Sequence, residues 1–510
     1  MSSSTVDSIS PAFQQQRASM QICHDLMGGT ESMVSAGRRY IMQEPGEDDA
    51  SWNIRVKRTV LLNVFARTLR YMGGRVFQKA VAPGEDFTDE AMLALLEDVD
   101  KQGRNITVWS RRVFEAGLRD GVTYAVVDFA SVPTRRGEAG QTQYQRPDGT
   151  WADKTEAADR DNGWRPYFIH VEAGQVLDCR VEWAESSPRV THFRYIETLE
   201  EPDGAWGTQT YQQIRAFFYD DAGRAVWQVY RNEGTGLLPS GIPSRATSSN
   251  FTLTASGVFS IGVLPVCIFM PGEERTLATA APALIDLAHL NKRHWQATSE
   301  QYELMSYVRR PPWFGKKLGF RDPDTGKTVL SFGPGVLCHS EEDTAELSSV
   351  GVDPGSVAAG RQELQDLENS MALYGLQLLQ PKTGVITATE SNRDAEESNS
   401  TLKAWALDFQ DFLENAMLYV ARWLGQEQGP SVVVNTDFAS AFDASFLLEL
   451  NRAGVLSGES LLGLVKNMGV LPDDFDVEGE ANRLATGVMV NGSAGGAGNL
   501  ERFMQSSGLL

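Results

Sequence analysis

Ala283-Leu-Ile-Asp-Leu-Ala-His-Leu-Asn-Lys-Arg-His-Trp-Gln296 lies in a run, 281–307, that holds no glycine and one proline, Pro282, near its start. Such a run reads as a single long helix, about 40 Å at 1.5 Å per residue. Two more helical runs follow. In 356–379, Leu364, Leu367, Met371, Tyr374 and Leu378 recur at spacings of three and four, a seam for packing on another helix. In 391–424, Leu402, Trp405, Phe409, Leu413, Ala416, Val420 and Trp423 form one apolar stripe. A compact insertion, 309–345, separates the first two helices. It opens with Arg309-Arg-Pro-Pro-Trp-Phe-Gly-Lys-Lys317 and passes through turns to Val329-Leu-Ser-Phe and Gly335-Val-Leu-Cys. A short Thr- and Gly-containing break, 380–390, separates the second and third.

Working outward, 1–45 reads as a polar lead and a short helix. Residues 47–79 read as one longer helix, with Trp52, Val56, Val60 and Val64 every four residues beside Leu61, Phe65, Leu69 and Met72. Its other side carries Arg55, Lys57, Arg58, Arg67 and Arg70, which read as a solvated face or, more sharply, a subunit or DNA-facing surface. Asp86-Phe-Thr-Asp-Glu opens another helix with Thr88 as N-cap, and a further helix over 103–119 runs into the strand Gly121-Val-Thr-Tyr-Ala-Val-Val-Asp-Phe129. Residues 131–165 read as an exposed insertion or long hairpin. Short β-segments at 167–171, 190–196, 212–219 and 225–230 form a mixed β-lobe, with a hairpin turn at Asp220-Asp-Ala-Gly223. Leu253–Met270 carries no charge, yet Gly257, Gly262 and Pro265 point to buried strands and turns, not a membrane helix. Residues 431–438 read as one strand and 444–486 as short helices. A flexible tail follows from 487, containing Gly492-Ser-Ala-Gly-Gly-Ala-Gly498. The fold class is α+β, rich in helix.

The hydrophobic share of 42% and charged share of 22% are those of an ordinary folded chain. The formal net charge of −21 argues against tight, non-specific nucleic-acid binding over the whole surface, because phosphate neutralisation needs cations. It leaves room for a conduit, since like charge keeps a sliding polyanion from sticking. Cys23, Cys179, Cys267 and Cys338 stand at no metal or redox spacing and read as reduced, mostly buried thiols of a cytoplasmic product. The Ser- and Gln-rich first twenty residues hold no apolar core, so no secretory leader is expected.

Enzyme motifs fail on spacing. Gly319-Phe-Arg-Asp-Pro-Asp-Thr-Gly-Lys-Thr328 ends like a phosphate-binding loop, but six residues separate its glycines where the cradle needs four. A Pro-Asp-x-Gly hairpin turn fits it better. His289 and His294 are five apart and do not share a helix face as a metal pair would, and His24, His170, His192 and His339 lie in unrelated segments. No cofactor, metal site or catalytic residue is expected, and the chain reads as a non-enzyme.

Three stretches carry a family resemblance: Glu44-Pro-Gly-Glu-Asp-Asp-Ala-Ser-Trp-Asn-Ile-Arg-Val-Lys-Arg-Thr-Val-Leu-Leu-Asn-Val-Phe-Ala-Arg-Thr68, Ala283–Gln296 as quoted above, and Thr387-Ala-Thr-Glu-Ser-Asn-Arg-Asp-Ala-Glu-Glu-Ser-Asn-Ser-Thr-Leu402. With the order helices, β-lobe, long helix, basic insertion, returning helix, loop, long helix, strand and terminal helices, the chain resembles the portal proteins of tailed bacteriophages over about 40–500. The resemblance implies an N-terminal lead at 1–46 and a wing at 47–280. Stem helices follow at 281–308 and 351–379, with a clip between them at 309–350. A tunnel loop at 380–393 leads to a helix and strand returning to the wing at 394–443, then crown helices at 444–486 and a tail at 487–510. The insertion 131–165 has no counterpart in it.

The resemblance also implies a function: a ring, usually of twelve subunits, at one capsid vertex, through which double-stranded DNA is packaged and ejected. The alternatives are another minor head or adaptor protein of a virion and, below that, a nucleic-acid enzyme. The ring would be assembled in the host cytoplasm and carried in the virion, without a membrane. Its partners would be further copies of itself, the terminase large subunit, head-tail adaptor proteins and the major capsid protein. The clip residues Arg309, Arg310, Trp313, Phe314, Lys316 and Lys317 would dock partners, as aromatic and Arg anchors do. Lys382, Thr383 and Arg393 of the tunnel loop would face DNA, a few cations touching phosphate without a strong grip. Without the resemblance, the first set reads as a β-hairpin with ordinary exposed cations and the second as a plain interhelical turn.

Overall fold

The apolar stripe of the third helical run decides where one core lies. A computed structural model describes residues 5–87, 89–129, 134–137, 142–146, 148–155, 158, 162–184, 187–204, 206–232, 251–311, 313–316, 320–321, 328–329, 344–349, 351, 353–373, 388–436, 438, 451–452, 457–467, 475–480 and 482–483. The chain divides into two units, 1–435 and 436–510.

In chain order the first unit begins with α1 (Pro11–Met27), α2 (Gly29–Ser35), α3 (Gly37–Tyr40), α4 (Asp49–Arg58), α5 (Val64–Val76), β1 (Ala82–Pro83), α6 (Glu90–Glu97) and α7 (Ile106–Asp120). Strands follow: β2 (Thr123–Phe129), β3 (Thr134–Arg136), β4 (Thr142–Gln145), β5 (Trp151–Asp153), β6 (Pro166–Glu172), β7 (Val176–Ala184), β8 (Ser187–Asp203), β9 (Gly207–Tyr219), β10 (Ala225–Asn232), β11 (Phe251–Val258), β12 (Val266–Phe269), β13 (Glu273–Thr276) and β14 (Thr279–Ala281). Then come α8 (Ile285–Arg309), β15 (Trp313–Lys316), β16 (Phe320–Arg321), β17 (Thr328–Val329), β18 (Glu346–Ser349), α9 (Pro354–Met371), α10 (Ala388–Trp423) and β19 (Val432–Val433). In the second unit α11 (Gly458–Asn467) buries Leu461, Leu462 and Val465. The fold is α+β.

Strand β2 is the centre of an antiparallel sheet ordered β12-β2-β6, buried along nearly its whole length. One face, through Val122, Tyr124 and Val126, joins Phe13 of α1 and Phe193, Tyr195 and Phe217 of the meander β11-β10-β9-β8-β7 in a single apolar core. The α10 helix belongs to a second core. Phe409 meets Phe269, Phe114 and Phe77 edge-on at centroid distances of 4.9, 5.5 and 5.7 Å, and Phe412 stacks on Trp109. Trp423 Nε1 donates to the Val127 carbonyl at 3.1 Å and ties the helix end to β2. Asn105 caps the start of α7 by accepting from Val108 N–H. Gly121 ends that helix at φ +84°, where a Cβ would stand 2.2 Å from the Ala281 carbonyl oxygen.

The region 47–79 departs from expectation. It is two helices, not one, because Asn63 accepts from Ala66 N–H and caps a new start at α5, while Leu61 N–H is taken up by Thr30 Oγ1. Val60 is exposed, outside the period-four stripe. The supposed solvated face is also wrong at Arg55, which is 3% exposed. Thr88, expected as a cap, lies outside the described residues; Asp89 Oδ1 accepts from Met92 N–H instead. Strand β7 was not expected, the expected strand at 431–438 is only the two-residue β19, and β11 is mostly exposed rather than buried. In the insertion 131–165 the described parts form the small sheet β3-β4-β5. The three described cysteines, Cys23, Cys179 and Cys267, are free and buried; Cys338 lies outside the described residues. The last turns expected at 374–379, much of the helices expected over 444–486 and the tail from 487 also lie outside the described residues.

Asp120 is wholly buried beside α1. Arg119 donates to it at 2.8 and 2.6 Å, and His24 Nε2 lies at 2.8 Å. Burial alone would raise this carboxyl, but Arg119 and His24 outweigh it and hold the group below the ordinary carboxylate range. A depressed carboxyl stabilises the fold above its unfolded value of about 3.9, and that contribution fades as pH falls through the lower folded value. Asp120→Asn is therefore expected to lower the urea midpoint clearly at pH 6, with the gap to the parent chain closing below about pH 4. A gap independent of pH would show that the carboxylate charge contributes nothing.

Candidate functional site

One helix meets two environments. Along α8, Leu287, Ala288, Asn291, His294, Trp295, Ala297, Thr298 and Ser299 are buried, and no residue after Ser299 is. Asn291 is fully enclosed; its Nδ2 donates to Leu62 O at 2.8 Å and its Oδ1 accepts from Phe65 N–H at 2.9 Å. Gln296 Nε2 donates to Tyr40 O at 2.6 Å. Arg55 reaches the same helix from α4. It donates to both Glu47 oxygens at 2.8 and 2.6 Å and to Met42 O at 2.9 Å, with Glu303 of α8 at 3.5 Å. The Arg55 guanidinium in turn holds the Glu47 carboxyl below the usual range.

The α9 helix returns antiparallel along α8. Arg293 Nη2 pairs with Glu363 at 2.6 Å, His294 Nε2 lies 3.4 Å from Glu368, and Gln301 Nε2 donates to Val357 O at 3.2 Å. Within α9 only Met371 is buried; Leu364 and Leu367 of the expected seam are half-buried. At the other end the pair continues into an antiparallel ladder. Trp313 stands opposite Ser349, Phe314 opposite Ser348, and Lys316 opposite Glu346. The last pair sets opposite charges across the strands.

Five of the expected partner-binding residues fall together at this end. Arg309 closes α8 and Arg310 caps it, while Trp313, Phe314 and Lys316 lie on β15; all five are exposed. Lys317, Lys382 and Thr383 lie outside the described residues, and Arg393 sits in the first turns of α10. Tyr302, Tyr307 and Val308, not singled out in the sequence, add exposed apolar surface on the outer half of α8. Their signal was the loss of a clear buried stripe after Ser299. The phosphate-loop look-alike is bounded by an antiparallel pair, Phe320 opposite Val329 and Arg321 opposite Thr328, as its hairpin reading requires.

Residues 283–424 match a family described as a domain of unknown function (DUF4055), a span that takes in α8, α9 and α10. No curated protein matches the chain. Among solved structures the chain is similar to the neck of a native gene transfer agent particle computed with C12 symmetry. Identity is 11%, coverage is 86% of this chain and 94% of that one, and the TM-score is 0.37. The neck of an empty particle computed with C6 symmetry gives 11% identity, 79% and 89% coverage and a TM-score of 0.36. The virion of the native particle gives 11%, 77% and 85%, and 0.36. Likeness at this level fixes neither fold nor role.

No helix among the described residues is long and apolar enough to cross a membrane, and no cluster of three or more metal-ligating side chains occurs among them. His170 Nε2 lies 2.8 Å from Thr123 Oγ1, so this histidine, like His24 and His294, already has a protein partner. Arg55 fixes α8 to α4. Arg55→Met should cost about 3 kcal/mol of stability by leaving Glu47 buried and uncompensated, whereas Arg67→Met, an exposed neighbour, should stay within about 0.5 kcal/mol. Urea unfolding of both variants checks the pair; equal, small effects would put Arg55 back on a solvated face.

Proposed function

We propose that the chain is the portal protein of a tailed phage, a ring at one capsid vertex that conducts DNA and hydrolyses nothing. One observation carries this reading: among the described residues the outer half of the α8–α9 hairpin has no fully buried side chain, yet exposes Tyr302, Tyr307, Val308, Trp313 and Phe314. Most of a helix's stability in a protein comes from packing one face against a neighbour. A two-helix hairpin with aromatic residues on its exposed half is therefore a surface that a neighbour completes. A closed ring supplies that neighbour to every copy, through two different complementary faces on each.

On this reading α8 and α9 are the stem and 309–350 the clip. Arg309, Arg310, Trp313, Phe314 and Lys316 there dock the terminase large subunit and later the head-tail adaptors. The tunnel loop expected over 380–393 is shortened by α10, which starts at Ala388; on this reading 380–387 with the first turns of α10 faces the DNA, 47–280 with the rest of α10 is the wing that meets the major capsid protein, and 444–486 is the crown. The net charge of −21 suits a channel wall that passes DNA without retaining it.

Native mass spectrometry with negative-stain imaging of the purified chain should give a ring of about a dozen subunits with a central hole. A compact dimer with a closed cleft would sink the portal reading. Lys382→Glu combined with Arg393→Glu should leave ring assembly intact and cut DNA packaging in a complementation assay. Normal packaging would remove 380–393 from the DNA path.

A further inference from the structure

The charge of this chain is unevenly spread. From Ala50 to Gly84 there is no aspartate or glutamate, although the chain holds 67 of them. The same stretch carries Lys57, Arg58, Arg67, Arg70 and Lys79, besides Arg55, which is spent on Glu47. The helix α5 turns part of this run into a face. Val64, Phe65, Thr68, Leu69, Met72 and Val76 are buried on one side. Arg67, Arg70 and Gly74 come round on the other at spacings of three and four, and both arginines are exposed. Neither guanidinium makes an ion pair or hydrogen bond with another described residue. At Gly74 no atom stands within 4 Å of where a Cβ would be, so the helix is open to close approach there.

One acid does stand beside α5. Glu115 of α7 has its Oε1 2.6 Å from where a Cβ on Gly73 would lie, and Arg111 holds that carboxylate at 2.9 Å. Arg112, next on α7, is exposed and lines with Leu69 of α5 an open cavity of about 560 Å³. The acids of that lining, Asp100, Glu115 and Glu172, are paired with Arg104, Arg111 and Arg119 at 3.2, 2.9 and 2.8 Å. Arg112 is left over, with no ion pair to another described residue.

We propose that Arg67 and Arg70, flanked by Arg112, contact the phosphodiester backbone of duplex DNA. Arginines that no carboxylate of their own chain holds keep their donors for phosphate oxygens. The acidic body does not cancel them, because charges beyond about 10 Å are largely screened at 0.1 M salt. The face also lacks what a protein partner needs at the centre of an interface: α5 exposes no large apolar side chain, and Val60 and Leu62 are exposed only before it begins. Backbone contacts of this kind position a duplex without reading its sequence. The choice of DNA among polyanions rests on the portal reading, and on that reading the face adds a DNA contact outside 380–393.

The test titrates the full-length protein into a fluorescent duplex of about 30 base pairs and follows anisotropy from about 50 to 300 mM salt. Arg67→Gln with Arg70→Gln should weaken binding about tenfold or more at the low-salt end and reduce the slope of log affinity against log salt by about two; Arg112→Gln alone should reduce that slope by about one. Arg224→Gln with Arg275→Gln, two arginines exposed on other elements, should change neither. Circular dichroism of every variant should match the parent, since each replaced side chain is exposed. A parent protein without salt-dependent binding, or equal losses from both arginine pairs, overturns the proposal. Unchanged DNA binding by the Arg67→Gln, Arg70→Gln variant overturns it too, and loss of rings in that variant would make the face a subunit contact. Native mass spectrometry of the same samples reads the ring separately: a chain that forms no ring yet loses DNA affinity with Arg67 and Arg70 sinks the portal reading and keeps this contact, while rings that bind no DNA sink the contact alone.

Discussion

The carboxamide of Asn291 joins α8 to the break between α4 and α5, and the placement of everything beyond it follows. Its two hydrogen bonds use the Leu62 carbonyl and the Phe65 amide, groups exposed by the interruption of one helical run into two. Each would cost about 1–3 kcal/mol if buried unpaired. Because the carboxamide must meet both, α8 has one register against the body. Trp295 and Ser299 then fall inside, and none of the ten residues after Ser299 in α8 is fully buried. The returning helix inherits that position through Glu363, Glu368 and Val357, and so does the β15–β18 ladder.

This arrangement explains which parts of the fold were legible. Periodicity located α7, β2, β6, β9, β10, α8, α9 and α10, because each has a long run with one buried stripe or a β-rich run between turn residues. It failed where side chains compete with the main chain. The stripe through Trp52, Val56, Val60 and Val64 looked continuous, yet Asn63 caps a helix start within it and Thr30 takes the Leu61 amide. No spacing rule shows a partner thirty residues away. Arg55 was misread for the same reason: a cation opposite an apolar stripe is ordinarily solvated, and only the fold brings Glu47, Met42 and Glu303 around it. Strand β7 was passed over although Leu177-Asp-Cys-Arg-Val-Glu-Trp183 alternates apolar and polar residues; its three charges outweighed the alternation, and the fold buries Asp178 beside Arg180 at 3.1 Å.

The site was legible as a cluster and not as a surface. The run Arg309 to Lys316 marked the end of the hairpin, since aromatic and basic residues beside a proline pair stand out in any composition scan. Tyr302, Tyr307 and Val308 did not, because an apolar residue on a helix reads as core until the opposite helix is seen to leave it uncovered.

The charge distribution is the last link. The chain has 67 acids against 46 lysines and arginines. Several of those cations are spent inside the body: Arg55 on Glu47, Arg119 on Asp120 and Arg215 on Asp128. Each internal pair removes one cation and one acid, so the net charge of −21 is left to the rest of the chain with fewer cations set against it. The exposed cations therefore carry unusual weight where they collect, at Arg309, Arg310 and Lys316 on the hairpin end. An acidic body with few basic patches attaches to copies of itself or to partners at those patches and slides past other polyanions elsewhere. That combination suits the proposed ring, which would grip its neighbours firmly and its cargo loosely.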